Sequence, residues 1–418
     1  MDPGRRLRQL GEDPGALGSP AVATTEPGRD TDFFTPEVRA DPWPVYARLR
    51  VEDPVHRGPA GDLMLLRYAD CQGVLGDSRF SSNPAHEREP SVGSVREAGS
   101  NLLLFLDPPD HTRLRRLVGK AFTPRVAESL RPRIESLVEE LLDEVEGESE
   151  FDVLTALAYP LPVVVICELL GVPVDDRDSL KDWSSAASRL LDPDVGGDTL
   201  EQGVMAAFGL ASYFTELFDE RRRDPRDDLV SALVAAEEEG DRLSPEELQS
   251  ITVLLFIAGH ETTMNLIGNG TYALLRHRDQ FERLAADPGL ARGAVEELLR
   301  FDGPVHVTAR AAVEDAEVGG VPIPAGDRVV VVLGAANRDP AQFDDPDGLD
   351  IGREDNRHLT FSHGIHFCLG AGLARVEGQV AIPALLRRFP DLELAAEPTY
   401  REHLVLRGLD ELRVGTGR

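Results

Sequence analysis

The sequence predicts a mainly α-helical protein with minor β-sheet, carried on one large domain. Three observations lead there. Between residues 110 and 276 apolar residues recur at three- and four-residue spacing, the period of helices that bury one face. One run, opened by Ser244-Pro-Glu-Glu247, is long for a globular helix and apolar nearly all round from Ile251 to Ala258, which marks a helix buried across the centre of the molecule. Strand-like runs are few and short, and no internal repeat or clean linker divides the chain.

In chain order, residues 1–30 are polar and rich in Gly and Pro, and read as a flexible N-terminal segment ahead of a single domain over 31–418. A proline opens a short helix over 41–50, and 62–68 is a brief strand. The stretch 80–101 has little periodicity, and a loop of that length in a compact enzyme suits a lid or binding loop. Helices follow over 111–121, 126–145 and 153–170, and more weakly over 200–222 and 227–238. Ser244 and Glu247 form a capping box with proline at the first helical position, opening a helix that can run to about residue 276. Short helices are expected over 279–286 and 290–301, then a hairpin of strands 318–324 and 327–333 across Pro-Ala-Gly. Residues 337–356, rich in Asp and Pro, should lack regular structure; a helix over 373–386 and a strand-rich segment over 392–414 complete the chain.

Composition narrows the function. The 418 residues are 41% hydrophobic and 28% charged, which is ordinary for a globular protein with a sizeable core. A formal net charge of −30 argues against nucleic acid or an anionic membrane as the main partner. Cys71, Cys167 and Cys368 lie far apart with no CxxC pairing, so a reducing compartment and no disulfide framework are expected. The N-terminal stretch lacks the apolar core of a signal peptide, and no run of 18 apolar residues exists. A soluble, cytoplasmic monomer is the expectation.

Chemistry concentrates in Phe361-Ser-His-Gly-Ile-His-Phe-Cys-Leu-Gly370. Glycines surround Cys368 and a helix follows it, so the thiol sits where unpaired N–H groups and the helix dipole favour a thiolate. On these residues alone Cys368 could be a small buried hydrophobe, a zinc ligand with His358, His363 and His366, or the axial ligand of a haem iron. A second constellation, Ala258-Gly-His-Glu-Thr-Thr263, lies inside the long helix. Glycine there costs about 1 kcal/mol relative to alanine, so close approach of a cofactor or a local opening of the helix is expected at Gly259. Glu261 and Thr262 place an acid beside a hydroxyl, either to move protons or as a threonine bonded back to a carbonyl with its glutamate in water.

The loop pattern Phe-x-x-Gly-x-His-x-Cys-x-Gly resembles the haem-binding loop of the cytochrome P450 family, and Ala-Gly-His-Glu-Thr resembles that family's oxygen-activation sequence. Glu297-Leu-Leu-Arg300 with Arg353, His111-Thr-Arg-Leu-Arg115 after Asp107-Pro-Pro, Arg310, Asn337-Arg-Asp-Pro340 and Asn356-Arg-His-Leu359 extend the resemblance from about residue 41 to the C-terminus, towards the soluble bacterial branch. One departure is Ser362, where glycine is commoner.

The resemblance implies a triangular-prism fold with haem b between the long central helix and the proximal cysteine loop. Cys368 would be the iron ligand, and Phe361, His366, Gly370, Ala258 and Gly259 would line the cofactor. His111, Arg115, Arg310 and His366 would meet its propionates, while Thr262 and Glu261 would handle dioxygen and its protons. Glu297, Arg300 and Arg353 would brace the core. The implied activity is mono-oxygenation, by hydroxylation or epoxidation, of a hydrophobic small molecule such as a steroid, terpenoid, fatty acid, polyketide or macrolide. The substrate would sit against 85–101, 254–258, 305–308 and 403–405. Electrons would come from NAD(P)H through a separate reductase and a ferredoxin or flavodoxin-type donor, which Arg113, Arg116 and Lys120 would help to dock. Phenol coupling or desaturation, and a non-enzymatic haem-based sensor, are the alternatives.

Overall fold

The computed structural model describes residues 35–58, 61–88, 102–192, 195–235, 237–238 and 241–417. Every described residue lies in the compact unit Asp32–Arg418. The N-terminal segment 1–30 and most of the 80–101 loop therefore lie outside the described residues.

The organising element is the helix Pro245–Arg276, about 48 Å long at 1.5 Å per residue. Its start is fixed by the expected capping box: the Ser244 hydroxyl accepts from Glu247 N at 3.1 Å, and Glu247 Oε2 accepts from Ser244 N at 2.9 Å. By length and composition this helix could cross a membrane, but 61% of its most apolar window is buried inside the protein, as befits a core helix. It serves two hydrophobic cores. Leu248, Ile251 and Phe256 pack with Ile166, Leu210 and Phe214, which belong to the helices Pro160–Leu170 and Gly197–Arg223. Met264, Leu266, Ile267 and Leu274 pack with Ile134, Leu298 and Ile382, which belong to Arg131–Glu144, Ala291–Asp302 and Ala371–Arg388.

Two expected helices are interrupted, each beside a proline. The run 126–145 breaks into Pro124–Ser129 and Arg131–Glu144, with Pro132 in the first turn of the second. The run 153–170 opens with a wide π-helical turn, Leu154–Ala158, before Pro160 starts the regular helix. The helix Arg177–Ser188 was not foreseen; its Asp- and Ser-rich sequence has modest propensity, and Leu180 and Ala187 hold it in the second core.

The main sheet has five strands, in the order Val55–Arg57, Leu63–Leu65, Arg328–Val332, Val307–Ala312, Phe80–Ser81. The expected hairpin of 318–324 with 327–333 is not formed. Ala316–Val318 instead pairs with Val321–Ile323 around Gly319 and Gly320, whose φ of +58° and +82° suit a two-residue hairpin turn. Arg328–Val332 joins the main sheet, antiparallel to Val307–Ala312 and parallel to Leu63–Leu65. The C-terminal segment is also less strand-rich than expected: Glu393–Leu394 and Arg413–Gly415 are its strands, and side chains such as Arg401 and Arg407 hold the rest through backbone carbonyls.

Candidate active site

Between its two cores the central helix presents an unpacked stretch. Ala258 is exposed and Gly259 and Thr262 are half-buried, whereas Phe256, His260, Glu261 and Thr263 are buried. A Cβ at Gly259 would lie 3.0 Å from Ile166 Cδ1, and the helix is continuous through this point. Close packing against Pro160–Leu170 gives one reason for a glycine here, and the expected opening of the helix is not formed.

The acid and hydroxyl of this stretch face different ways. Thr262 Oγ1 donates to Ala258 O at 2.9 Å on the open side. Glu261, 3% exposed, accepts from Arg401 Nη1 at 3.3 Å on the buried side. The threonine thus bonds back to a carbonyl, but the glutamate is ion-paired inside the protein rather than in water. His260 Nδ1–H donates to Phe256 O at 2.7 Å, which leaves Nε2 to accept from Ser184 Oγ at 3.0 Å. Burial pushes the His260 pKa down, keeping the ring neutral.

The cysteine loop is shaped by two left-handed residues. Ser362 has φ +63° and Gly364 φ +70°; a Cβ at 364 would lie 2.6 Å from Leu75 O, so only glycine fits there. The left-handed backbone at 362 is the physical reason glycine suits that position, and serine occupies it at some cost in strain. Cys368 N donates to Phe361 O at 2.8 Å, closing the loop.

Of the three cysteines, Cys71 and Cys167 are buried and Cys368 is exposed. Burial pushes the Cys71 thiol far up and the Cys167 thiol up to about 12, so both behave as small hydrophobes. Desolvation raises the Cys368 thiol as well, but the N–H groups of Gly370 and Ala371 and the charges of Arg115 and Arg375 pull the other way. Those are the supports a thiolate ligand requires.

Four donors gather beside this loop. The His111 and His366 rings lie 4.4 Å apart, and each Nε2 is buried without a hydrogen-bond partner among the described residues. Arg115 reaches the carbonyl of Phe367 and ties the helix Asp110–Gly119 to the loop. Arg310, 5% exposed, spends Nη1 on Ala309 O and Thr308 Oγ1, and burial lowers it to about 10. Burial and the charges of Arg310, His111 and Arg115 push His366 down to about 3. The acid that acts on this group, Asp107, is already bonded to Ser81 Oγ. In a chain of net charge −30, such an excess of donors over acids calls for an anionic ligand. Orphaned imidazole nitrogens beside a supported thiol fit a haem, with its two carboxylates and its iron.

Zinc has no comparable geometry. Among the described residues no three His, Cys, Asp or Glu side chains converge on a metal position, and His358 Nε2 instead meets Glu296 Oε2 at 3.2 Å. Arg113, one of the three cations expected to help dock an electron donor, is paired with Glu247.

Beneath the loop lies the expected ion pair. Glu297 and Arg300 side chains are fully buried, with bonds of 2.8 Å from Nε to Oε2 and from Nη2 to Oε1. Arg353 Nε and Asn356 Nδ2 each reach Oε2 at 3.0 Å, and Arg300 also donates to the carbonyls of Asn337, Pro346 and Gly348. Next to it, unforeseen from sequence, Arg375 lies 4.6 Å from the Phe361 ring centre and is held bidentately by Glu296. Arg401 was also missed, since it meets Glu261 across 140 positions of sequence and no local pattern marks it.

Comparison with known proteins agrees with this geometry. The family model described as cytochrome P450 matches residues 55–287 and 289–403. The chain is 45% identical to the vitamin D(3) 25-hydroxylase of Pseudonocardia autotrophica, over 94% of this chain and 98% of that one. The solved structure of the Bacillus subtilis bacillaene polyketide synthase cytochrome P450 PksS superposes with a TM-score of 0.86 at 42% identity, covering 92% of this chain and 99% of the other. The structure of CxnD, a P450 for C–S bond formation in chuangxinmycin biosynthesis, gives 0.85 at 40% identity, covering 94% and 99%. The chain therefore belongs to the cytochrome P450 family, with that family's fold, and is a mono-oxygenase whose cofactor is haem b.

Proposed function

We propose that the chain hydroxylates or epoxidises a hydrophobic small molecule, with Cys368 as the thiolate that would hold the haem iron and His111, Arg115, Arg310 and His366 as the residues that would meet its propionates. The observation that carries this reading is the exposed Cys368 beside two buried imidazole nitrogens that lack partners among the described residues. Haem supplies the oxidising chemistry; the chain holds it and moves protons. Gly370 and Ala371 N–H groups steady the thiolate, Phe361 packs beneath it under Arg375, and Ala258 and Gly259 line the opposite wall. Thr262 Oγ, on the open side of the central helix, donates to Ala258 O and would turn its proton towards dioxygen once that bond shifts, with Glu261 as the acid that would resupply it.

The substrate wall joins the open stretch of the central helix to Val305 and the 403–405 turn, which are adjacent: His306 N donates to Val405 O at 3.0 Å, and Val305 pairs with Leu406. Relatives named for vitamin D(3) and for polyketide biosynthesis support a steroid, terpenoid, fatty acid, polyketide or macrolide guest. CxnD, named for C–S bond formation, supports a second reading in which a bond is formed or desaturated without hydroxylation. In either case electrons come from NAD(P)H through a separate reductase and a ferredoxin or flavodoxin-type donor. Residues 31–418 act as one domain, in a cytoplasmic monomer.

The test is the absorption spectrum of the reduced, carbon-monoxide-bound protein. The thiolate-type Soret band is expected in the wild type and should be lost in Cys368→Ser. A wild-type band at the histidine-ligated position would overturn the assignment.

A further inference from the structure

Glu261 is not held by its own helix. Arg401, in the C-terminal segment, reaches a full turn of one helix face: Nη1 to Glu261 Oε2 at 3.3 Å, Nη2 to Met264 Sδ at 3.4 Å and to Asn265 Oδ1 at 3.3 Å. Those positions, i, i+3 and i+4, share a face. Arg401 Nε is fixed by Leu409 O at 3.0 Å. A Cβ on Gly408 would lie 2.1 Å from Asn265 Oδ1, so the returning backbone lies directly on the central helix.

Arg401 is the permanent cation paired with Glu261 among the described residues. His260 Nε2 lies 3.8 Å from Glu261 Oε1, but its ring is neutral and that nitrogen already accepts from Ser184. Removing the cation from a buried ion pair leaves its carboxylate uncompensated. The same turn is anchored at its other end by Asp192, 2% exposed. Asp192 Oδ1 accepts from Leu404 N at 3.1 Å and Val405 N at 3.0 Å, and Oδ2 meets His403 Nδ1 at 2.9 Å.

We infer that the turn 401–405 is the positioning element of Glu261: Arg401 holds the carboxylate in place, and Asp192 fixes the turn that carries Arg401. Both act on proton delivery through Glu261. The inference rests on the reading of Glu261 as a proton relay.

The experiment uses substrate-free holoenzyme reduced by NADPH through a surrogate ferredoxin and reductase. It measures peroxide released per dioxygen consumed and the solvent deuterium isotope effect on oxygen consumption. Arg401→Ala should raise the peroxide share about threefold and shift the isotope effect in the same direction as Glu261→Gln. Arg401→Lys should recover most of both, and Asp192→Asn should show a weaker form of the same change. The double variant Glu261→Gln/Arg401→Ala should be no worse than Glu261→Gln. Arg401→Ala behaving as wild type while Glu261→Gln is impaired, or additive effects in the double variant, would each overturn the inference. Wild-type behaviour of Glu261→Gln would instead remove the relay reading beneath it.

Discussion

His111 and His366 face each other with ring centroids 4.4 Å apart, and neither Nε2 finds a partner among the described residues. Unpaired buried nitrogens cost stability, and here Arg115 and Arg310 add charge to the same corner. The arrangement is unfavourable by itself, and the proposed propionate contacts would relieve it.

Haem retention should therefore depend on this corner more than on overall stability. Each hydrogen bond to a charged group contributes about 1.5–3 kcal/mol, so Arg310→Ala or His366→Leu should speed haem loss by about 10- to 100-fold. Transfer of haem to an excess of an apoglobin scavenger measures this directly. Unchanged transfer rates, with unchanged melting of the haem-free proteins, would show that the propionates lie elsewhere.

Glu297 should control stability rather than chemistry. Its carboxylate accepts from Arg300, Arg353, Asn356 and the backbone of Asp350. Glu297→Ala leaves the Arg300 charge fully buried without its counter-ion, and breaking a buried pair in this way costs about 3–5 kcal/mol. Arg353→Ala, at a partly exposed position, should cost less. Urea unfolding of both variants checks the order; equal midpoints for wild type and Glu297→Ala would show that the pair is not a brace.

These cases show how much of the molecule was legible in the sequence. The central helix was readable because its start, period and burial are local properties, and Ser244, Pro245 and Glu247 sit at fixed offsets. Cys368, His366, Arg115 and the Glu297–Arg300 pair were readable because short motifs carry them. The hairpin at 316–323 was misplaced because Pro324-Ala-Gly326 is itself a turn, with Gly326 at φ +88°, but the strand after it joins the main sheet while Gly319-Gly320 makes the hairpin. Arg401 and Arg375 were invisible because their partners, Glu261 and Glu296, lie 140 and 79 positions away. The contact of Gly259 with Ile166 was invisible because the two lie 93 positions apart.

Thr262 should decide how cleanly electrons are used. Its hydroxyl lies on the open side of the helix and donates to Ala258 O, so a shift of that one hydrogen bond frees it to serve dioxygen. Thr262→Ala should keep haem content and lose at least tenfold in product per NADPH, with peroxide appearing instead, a loss on the scale of general acid–base contributions of about 10²–10⁴. Thr262→Ser should restore much of the coupling. Fully coupled turnover in Thr262→Ala would remove the residue from proton delivery.

Glu377 gives the clearest pH signature. It lies on Ala371–Arg388, 1% exposed, and neither carboxylate oxygen has a partner in hydrogen-bond geometry among the described residues. Burial pushes its pKa up to about 8, with the Thr263 side chain pulling weakly the other way. The unfolded value is about 4.3, so between those two pH values the folded state binds more protons than the unfolded one. Stability should then fall as pH rises from about 4 towards 8, the reverse of a salt-bridged carboxylate. Glu377→Gln, an isostere of the neutral acid, should match wild type near pH 4 and become progressively more stable than it up to pH 9. Denaturant titrations of both proteins at pH 5, 7 and 9 measure the difference, and parallel stability profiles would show that Glu377 is not the group that titrates.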